Sequence, residues 1–152
     1  MPEPTRTLSE PSRATPVIGE YEVVVLGGGP AGIAAAVAAG RTGRLTLLIE
    51  RYGFLGGAGT AAGLSTFCGL HANVHGEHRQ VIHGVADDVL ARLEHKGGLN
   101  PPHLSFANKI QAQAYDMSAY KIVADEMLAA VEKFTHGGVV TDDRTLVVMK
   151  VL

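Results

Sequence analysis

The 152-residue sequence has one cysteine, no tryptophan, and only four tyrosines and four phenylalanines. A lone thiol, Cys68, excludes an intramolecular disulfide framework and fits a reducing compartment, so a cytoplasmic location is expected. Lys and Arg total 13 against 15 Asp and Glu, a formal net charge of -2 that leaves no basic footprint for nucleic acid. The scarcity of aromatics also removes the stacking platforms on which single strands are held. No apolar run is long enough to span a bilayer, and the first residues lack the apolar h-region of a secretory signal. Neither a membrane nor a nucleic acid is therefore expected as a partner.

What is present is a globular composition, 46% hydrophobic and 18% charged, with enough chain for one domain and a core. Residues 1–19 carry Pro2, Pro4, Pro11 and Pro16 among polar side chains and are expected to form a disordered leader. Glu3 and Glu10 argue against a transit peptide. Residues 20–152 make up the expected domain. The 19 glycines concentrate in residues 27–43 and 53–69. Glycine is kept where backbone turns tightly or approaches a ligand closely, so this clustering points to phosphate-approach loops.

Residues 21–26 (YEVVVL) read as a strand buried on both faces, ending at Gly27-Gly28-Gly29-Pro30. An Ala-rich helix follows and stops near Gly43, and residues 45–49 (LTLLI) form a second buried strand that ends at Glu50. This is a βαβ unit, whose strands should lie parallel. Residues 51–83 show no sustained period and read mostly as loop, with a short helical turn at 59–64. Helical spacing of Val85, Val89, Leu90 and Leu93 predicts a helix over 85–95, closed by Lys96-Gly97-Gly98. A third helix is expected over 118–134, with Tyr120, Val123, Ala124, Met127, Leu128 and Val131 on one stripe. A last strand is expected over 145–152. The fold class is thus α/β, Rossmann-like, with a parallel sheet.

The pattern Gly27-x-Gly29-x-x-Gly32 is weak alone and strong in this context, because it follows a strand, opens a helix and is trailed by an acid after the next strand. Gly27 lets the chain turn off the strand, Gly29 admits a pyrophosphate against bare backbone, and Gly32 lets helix and sheet pack closely. The helix start offers free N–H groups and the positive end of the macrodipole to phosphates. Glu50 is placed to accept hydrogen bonds from both ribose hydroxyls, and its charge disfavours a 2′-phosphate. The dinucleotide could still be FAD or NAD on these residues alone.

The run from Glu50 through Arg51, Gly53, Gly56 and Gly57 resembles the extension of the glutathione-reductase-like flavoproteins with two dinucleotide-binding domains. Within that superfamily, residues 51–69 (RYGFLGGAGTAAGLSTFCG) and 115–128 (YDMSAYKIVADEML) are similar to the FAD-dependent oxidoreductase family. The resemblance spans residues 21–128 and implies FAD as cofactor. It implies that Gly27, Gly29, Pro30, Ala31, Gly32 and Glu50 hold the ADP moiety, with Arg51, Gly56 and Gly57 along the adenosine and pyrophosphate. Residues 59–68 would lead toward the isoalloxazine.

Family members are several times longer, return late with another glycine-rich segment and insert a substrate domain. The sequence therefore reads as the N-terminal portion of such a domain. Three explanations stay open: a truncated product, a subunit completed by a second copy or partner chain, or a non-catalytic nucleotide-binding module. The catalytic residues and the small-molecule substrate are not indicated.

His71, His75, His78 and His83 are spaced along residues 71–83, but match no metal-ligand pattern, so they read as a solvated polar loop and no metal is expected. If the flavin site is real, one of them could contact flavin or substrate. Cys68 lacks the second thiol a disulfide reductase needs and reads as a buried structural thiol. Asp87 and Asp88 sit where they favour a helix macrodipole, and Tyr115-Asp116 where they cap the third helix.

Overall fold

The computed structural model describes residues 11–132 apart from 13 and 18. Most of the expected leader, and all of the strand expected over 145–152, lie outside the described residues. The chain opens with β1 (Val23–Leu26), α1 (Pro30–Arg41) and β2 (Thr46–Ile49). Strands β1 and β2 pair in parallel, from Val23 opposite Thr46 to Leu26 opposite Ile49. The chain therefore has the expected Rossmann-like α/β unit. Helix α1 buries Ile33, Ala36, Val37 and Gly40, a single stripe at helical spacing. It ends at Arg41 because Thr42 turns back to Ala39 and Gly43, at φ 78°, takes a left-handed conformation.

One expectation for β1 fails. Val24 is 52% and Leu26 79% exposed, so the strand is covered on one face only among the described residues. A continuous apolar run cannot reveal which of its faces has a neighbour. Val25 packs against the core, whereas no described element covers the alternate residues.

The second part is antiparallel. It comprises β3 (Thr66–Phe67), β4 (His71–Val74), β5 (Glu77–Gln80), α2 (Val85–His95), β6 (His103–Ser105), β7 (Ile110–Ala114) and α3 (Met117–Glu132). β3, β7 and β6 form one sheet in that order, and β4–β5 form a separate hairpin. Residues 51–83 are mostly loop and turn, as expected, but also hold β3 and the β4–β5 hairpin, which were not expected. The helical turn within them is a 3-10 turn at Gly57–Gly59, earlier than expected. Between β4 and β5 only His75 (φ 52°) and Gly76 (φ 91°) intervene, the paired left-handed geometry of a tight hairpin turn. Asn73 Oδ1 accepts from the Gly76 N–H at 2.8 Å and fixes that turn.

The helices meet expectation closely. α2 ends in two reciprocal bonds, Gly97 N–H to Glu94 O and Gly98 N–H to Leu93 O, both 2.8 Å. Asp87 accepts from the Gly84 N–H at 2.8 Å at the start of α2, and Asp116 accepts from Ala119 N–H at 2.7 Å at the start of α3. On α3, Tyr120, Val123, Ala124, Met127 and Leu128 are all buried and join Ile33, Val37, Leu48, Leu55, Val89 and Leu93 in one core. Fully burying each such aliphatic side chain stabilises by about 1.5–3 kcal/mol, so the three-helix contact dominates the packing.

Candidate dinucleotide site

β1 ends in a turn that glycine alone permits: Gly27 has φ 96°. Three residues on, α1 begins at Pro30, whose missing N–H costs nothing at a helix start. Gly29 is the N-cap, and no side chain caps the helix, so its first N–H groups face outward without a side-chain acceptor. A Cβ on Gly32 would lie 1.8 Å from the Gly27 carbonyl oxygen and 3.5 Å from Val25 Cγ1. Gly32 is therefore required by the approach of α1 to the end of β1.

Glu50, at the end of β2, is 6% exposed and points back into the turn. The Gly28 N–H donates to its Oε2 at 2.6 Å, and the Tyr52 N–H donates to its Oε1 at 3.0 Å. Burial pushes the carboxyl up, but backbone donation from Tyr52, Gly28 and Arg51 outweighs it and holds Glu50 below the usual carboxylate range. A carboxylate offers about four acceptor positions, so these backbone donors leave Glu50 room for at least one further bond. The same Gly28 accepts from the Gly56 N–H at 2.8 Å. Gly28 thus ties together the loop, Glu50 and the segment after it. A Cβ there would lie 2.3 Å from Leu55 Cδ2.

The remaining expected residues divide by position. Gly56 (φ 109°) and Gly57 (φ 51°) lie beside the turn, with a Cβ on Gly57 reaching within 2.7 Å of Gly29 Cα. Pro30 and Ala31 form the first turn of α1 at the same place. Arg51 is exposed, and its Nη2 donates to the Tyr52 hydroxyl at 2.6 Å. The structure therefore brings Gly27, Gly29, Pro30, Ala31, Gly32, Glu50, Gly56 and Gly57 together, with Arg51 at the rim.

Two contributors went unread in the sequence. Gly28 looked like the free position of the motif, although three consecutive glycines were a signal that it too is constrained. Tyr115 was read only as a capping neighbour. It is buried against Phe67 and Tyr120, and its hydroxyl donates to Leu64 O at 2.7 Å and Gly59 O at 3.2 Å. Burial, with Tyr115 adding, pushes the Tyr120 hydroxyl up to about 12. This aromatic cluster supports the segment after Gly57 from the far side of the chain.

The histidines and the thiol differ from expectation. His71 and His78 lie in the β4–β5 hairpin, each with a buried Nδ1 that has no partner among the described residues. Burial and the neighbouring His78 push His71 below the ordinary histidine value. His75 forms the hairpin turn, and His83 sits 3.3 Å from Asp87 Oδ1. Among the described residues, no three His, Cys, Asp or Glu converge as metal ligands. Cys68 is exposed, not buried: it follows β3 where the chain leaves the sheet. No helix among the described residues is long and apolar enough to cross a membrane.

Residues 22–149 match the family described as FAD dependent oxidoreductase. The chain belongs to that family. FAD is the cofactor of this FAD-dependent oxidoreductase family, in agreement with the resemblance carried by residues 51–69. A 45-residue stretch is 47% identical to a dihydrolipoyl dehydrogenase of Trypanosoma brucei brucei, covering 30% of this chain and 9% of that protein. Among solved structures, the crystal structure of Thermovibrio ammonificans THI4 matches 73% of this chain and 36% of its own, at 15% identity and a TM-score of 0.41. The chain therefore spans about a tenth to a third of the length of these relatives.

Proposed function

We propose that this chain supplies the ADP-binding half of the FAD site in an FAD-binding oxidoreductase. The observation that carries it is Gly29. Its φ of -73° suits any residue, and a Cβ would meet nothing nearer than Gly57 Cα at 3.8 Å. Neither backbone nor packing asks for glycine there. A ligand pressed against the backbone does, and the uncapped start of α1 faces the same space.

The donor set fits a dinucleotide. Outward N–H groups at the α1 N-terminus suit a pyrophosphate, and the macrodipole favours its charge. The remaining acceptor capacity of the Glu50 carboxylate suits a ribose hydroxyl, while its negative charge opposes a 2′-phosphate. When bound, flavin supplies the electron-transfer chemistry, and the protein's part is to hold and orient it. Glu50 does so while anchored by Gly28 and Tyr52, so its carboxylate needs little further ordering on binding.

Purified chain is expected to take up FAD and show a visible flavin spectrum that dithionite bleaches. A protein that stays colourless at high FAD concentration, although folded, would overturn the proposal.

A further inference from the structure

The segment after β2 reaches the start of α1 as bare backbone. Gly56 (φ 109°) and Gly57 (φ 51°) both take the left-handed conformation, and neither has room for a side chain. A Cβ on Gly57 would crowd Gly29 Cα, whereas a Cβ on Gly56 would lie 2.6 Å from Thr60 Oγ1. The glycine pair forms a lip across Gly29, with Thr60 on its inner side.

One hydroxyl closes this lip. Thr60 is buried, and its Oγ1 donates to Leu55 O at 2.8 Å, with Gly57 O a second acceptor at 3.4 Å. Among the described residues no backbone N–H donates to Leu55 O, so the hydroxyl is its donor. Gly57 O also accepts from the N–H groups of Thr60 at 3.1 Å and Ala61 at 2.8 Å. On the other flank, the Gly56 N–H donates to Gly28 O at 2.8 Å. Residue 56 is thus tied to the dinucleotide turn, and residues 55 and 57 to Thr60. A glycine pair has the widest choice of conformations and no side chains to hold it, so these bonds decide where it stands.

The place a Gly29 Cβ would take is only 3.8 Å from Gly57 Cα, so a phosphate pressed against Gly29 also meets the lip. The width of that space follows from the lip, and the lip from its anchors. Resting on the ADP-binding reading above, we propose that Thr60 is a positioning residue for the pyrophosphate. Its buried hydroxyl holds the Gly56–Gly57 backbone at the separation from Gly29 that the phosphates occupy. Thr60 gives its proton to Leu55 O, so it acts through the backbone and not by touching the ligand.

The test is titration of the full chain with FAD, ADP and adenosine, alongside the melting temperature of each variant. Thr60→Val keeps the shape and removes the donor. It should weaken FAD and ADP about tenfold and leave adenosine, which carries no phosphate, unchanged. Thr60→Ser restores the hydroxyl and should bind FAD within about twofold of wild type. Equal FAD affinity in wild type and Thr60→Val would overturn the positioning role while leaving the ADP site standing. So would equal losses of ADP and adenosine in Thr60→Val with a lower melting temperature, the mark of a purely structural hydroxyl. A wild-type measurement stands apart from the folding of any variant: the Gly57 amide resonance should shift with ADP and hold still with adenosine. A Gly57 signal that ignores bound ADP would overturn the place of the lip beside the phosphates. Wild type that binds neither FAD nor ADP would overturn the ADP-binding reading itself, and this role of Thr60 with it.

Discussion

At Gly32 an added Cβ would lie 1.8 Å from a backbone oxygen, and at Gly57 2.7 Å from a backbone carbon. At Gly63, Gly76, Gly84 and Gly97, outside the dinucleotide turn, it would meet nothing within 4 Å. The two regions use glycine for different physical reasons. Around the turn, two stretches of backbone pass so close that no side chain fits between them. Those four glycines sit at φ between 66° and 91°, where they serve the direction of the chain and crowd nothing. Gly29 belongs to neither group, and it stands at the start of α1, where a phosphate would meet bare backbone.

That contrast can be broken by substitution. Gly32→Ala is expected to cost about 3 kcal/mol or more, because the atom it meets is backbone and cannot step aside. Urea unfolding monitored by circular dichroism measures this directly. A cost below that of Gly76→Ala would show that the turn is more pliable than its spacing implies.

Glu50→Gln should cost about 2 kcal/mol, since one carboxylate oxygen that accepts a backbone N–H becomes an NH₂ facing another donor. The pH dependence follows from the same bonds. Glu50 titrates below its ordinary 4.5 in the folded chain, so its stabilising contribution is complete above that value. It is lost as pH falls through the lower, folded value. Acid unfolding of wild type should therefore show a component that Glu50→Gln lacks, and identical acid profiles would deny Glu50 this role.

The antiparallel region offers the milder comparison. Tyr115→Phe removes the hydroxyl bonded to Leu64 O and Gly59 O and should cost about 1–2 kcal/mol. Gly76→Ala places a side chain in open space at φ 91° and should cost about 1 kcal/mol, all of it backbone conformation. Thermal denaturation ranks these against the turn variants. A larger loss at Gly76 than at Tyr115 would mean the hairpin is more tightly constrained than its exposure indicates.

Legibility in the sequence followed the same division. The βαβ unit, its glycine spacing and Glu50 were readable because each is fixed by neighbours within about thirty residues, with periodic apolar residues to mark the elements. α2 and α3 were readable for the same reason: Val89, Leu93, Tyr120, Val123 and Met127 recur at helical spacing. The β4–β5 hairpin was not. Its strands, HANV and EHRQ, are polar and lack the alternation that marks a half-buried strand, and the His75-Gly76 turn was its one local signal. Tyr115 was out of reach for another reason. Its hydroxyl partners lie 51 and 56 residues away, and only the completed fold joins them. The exposed Cys68 and the open face of β1 share this cause, since burial depends on which elements finally pack where.

The central claim is that Gly29 is glycine for the sake of the dinucleotide. Its most direct test is the FAD dissociation constant of Gly29→Leu beside wild type, with unfolding free energy measured on both. The account predicts that affinity falls at least a hundredfold while stability changes by no more than about 1 kcal/mol, the scale of an N-cap replacement. FAD bound equally well by both proteins would contradict it.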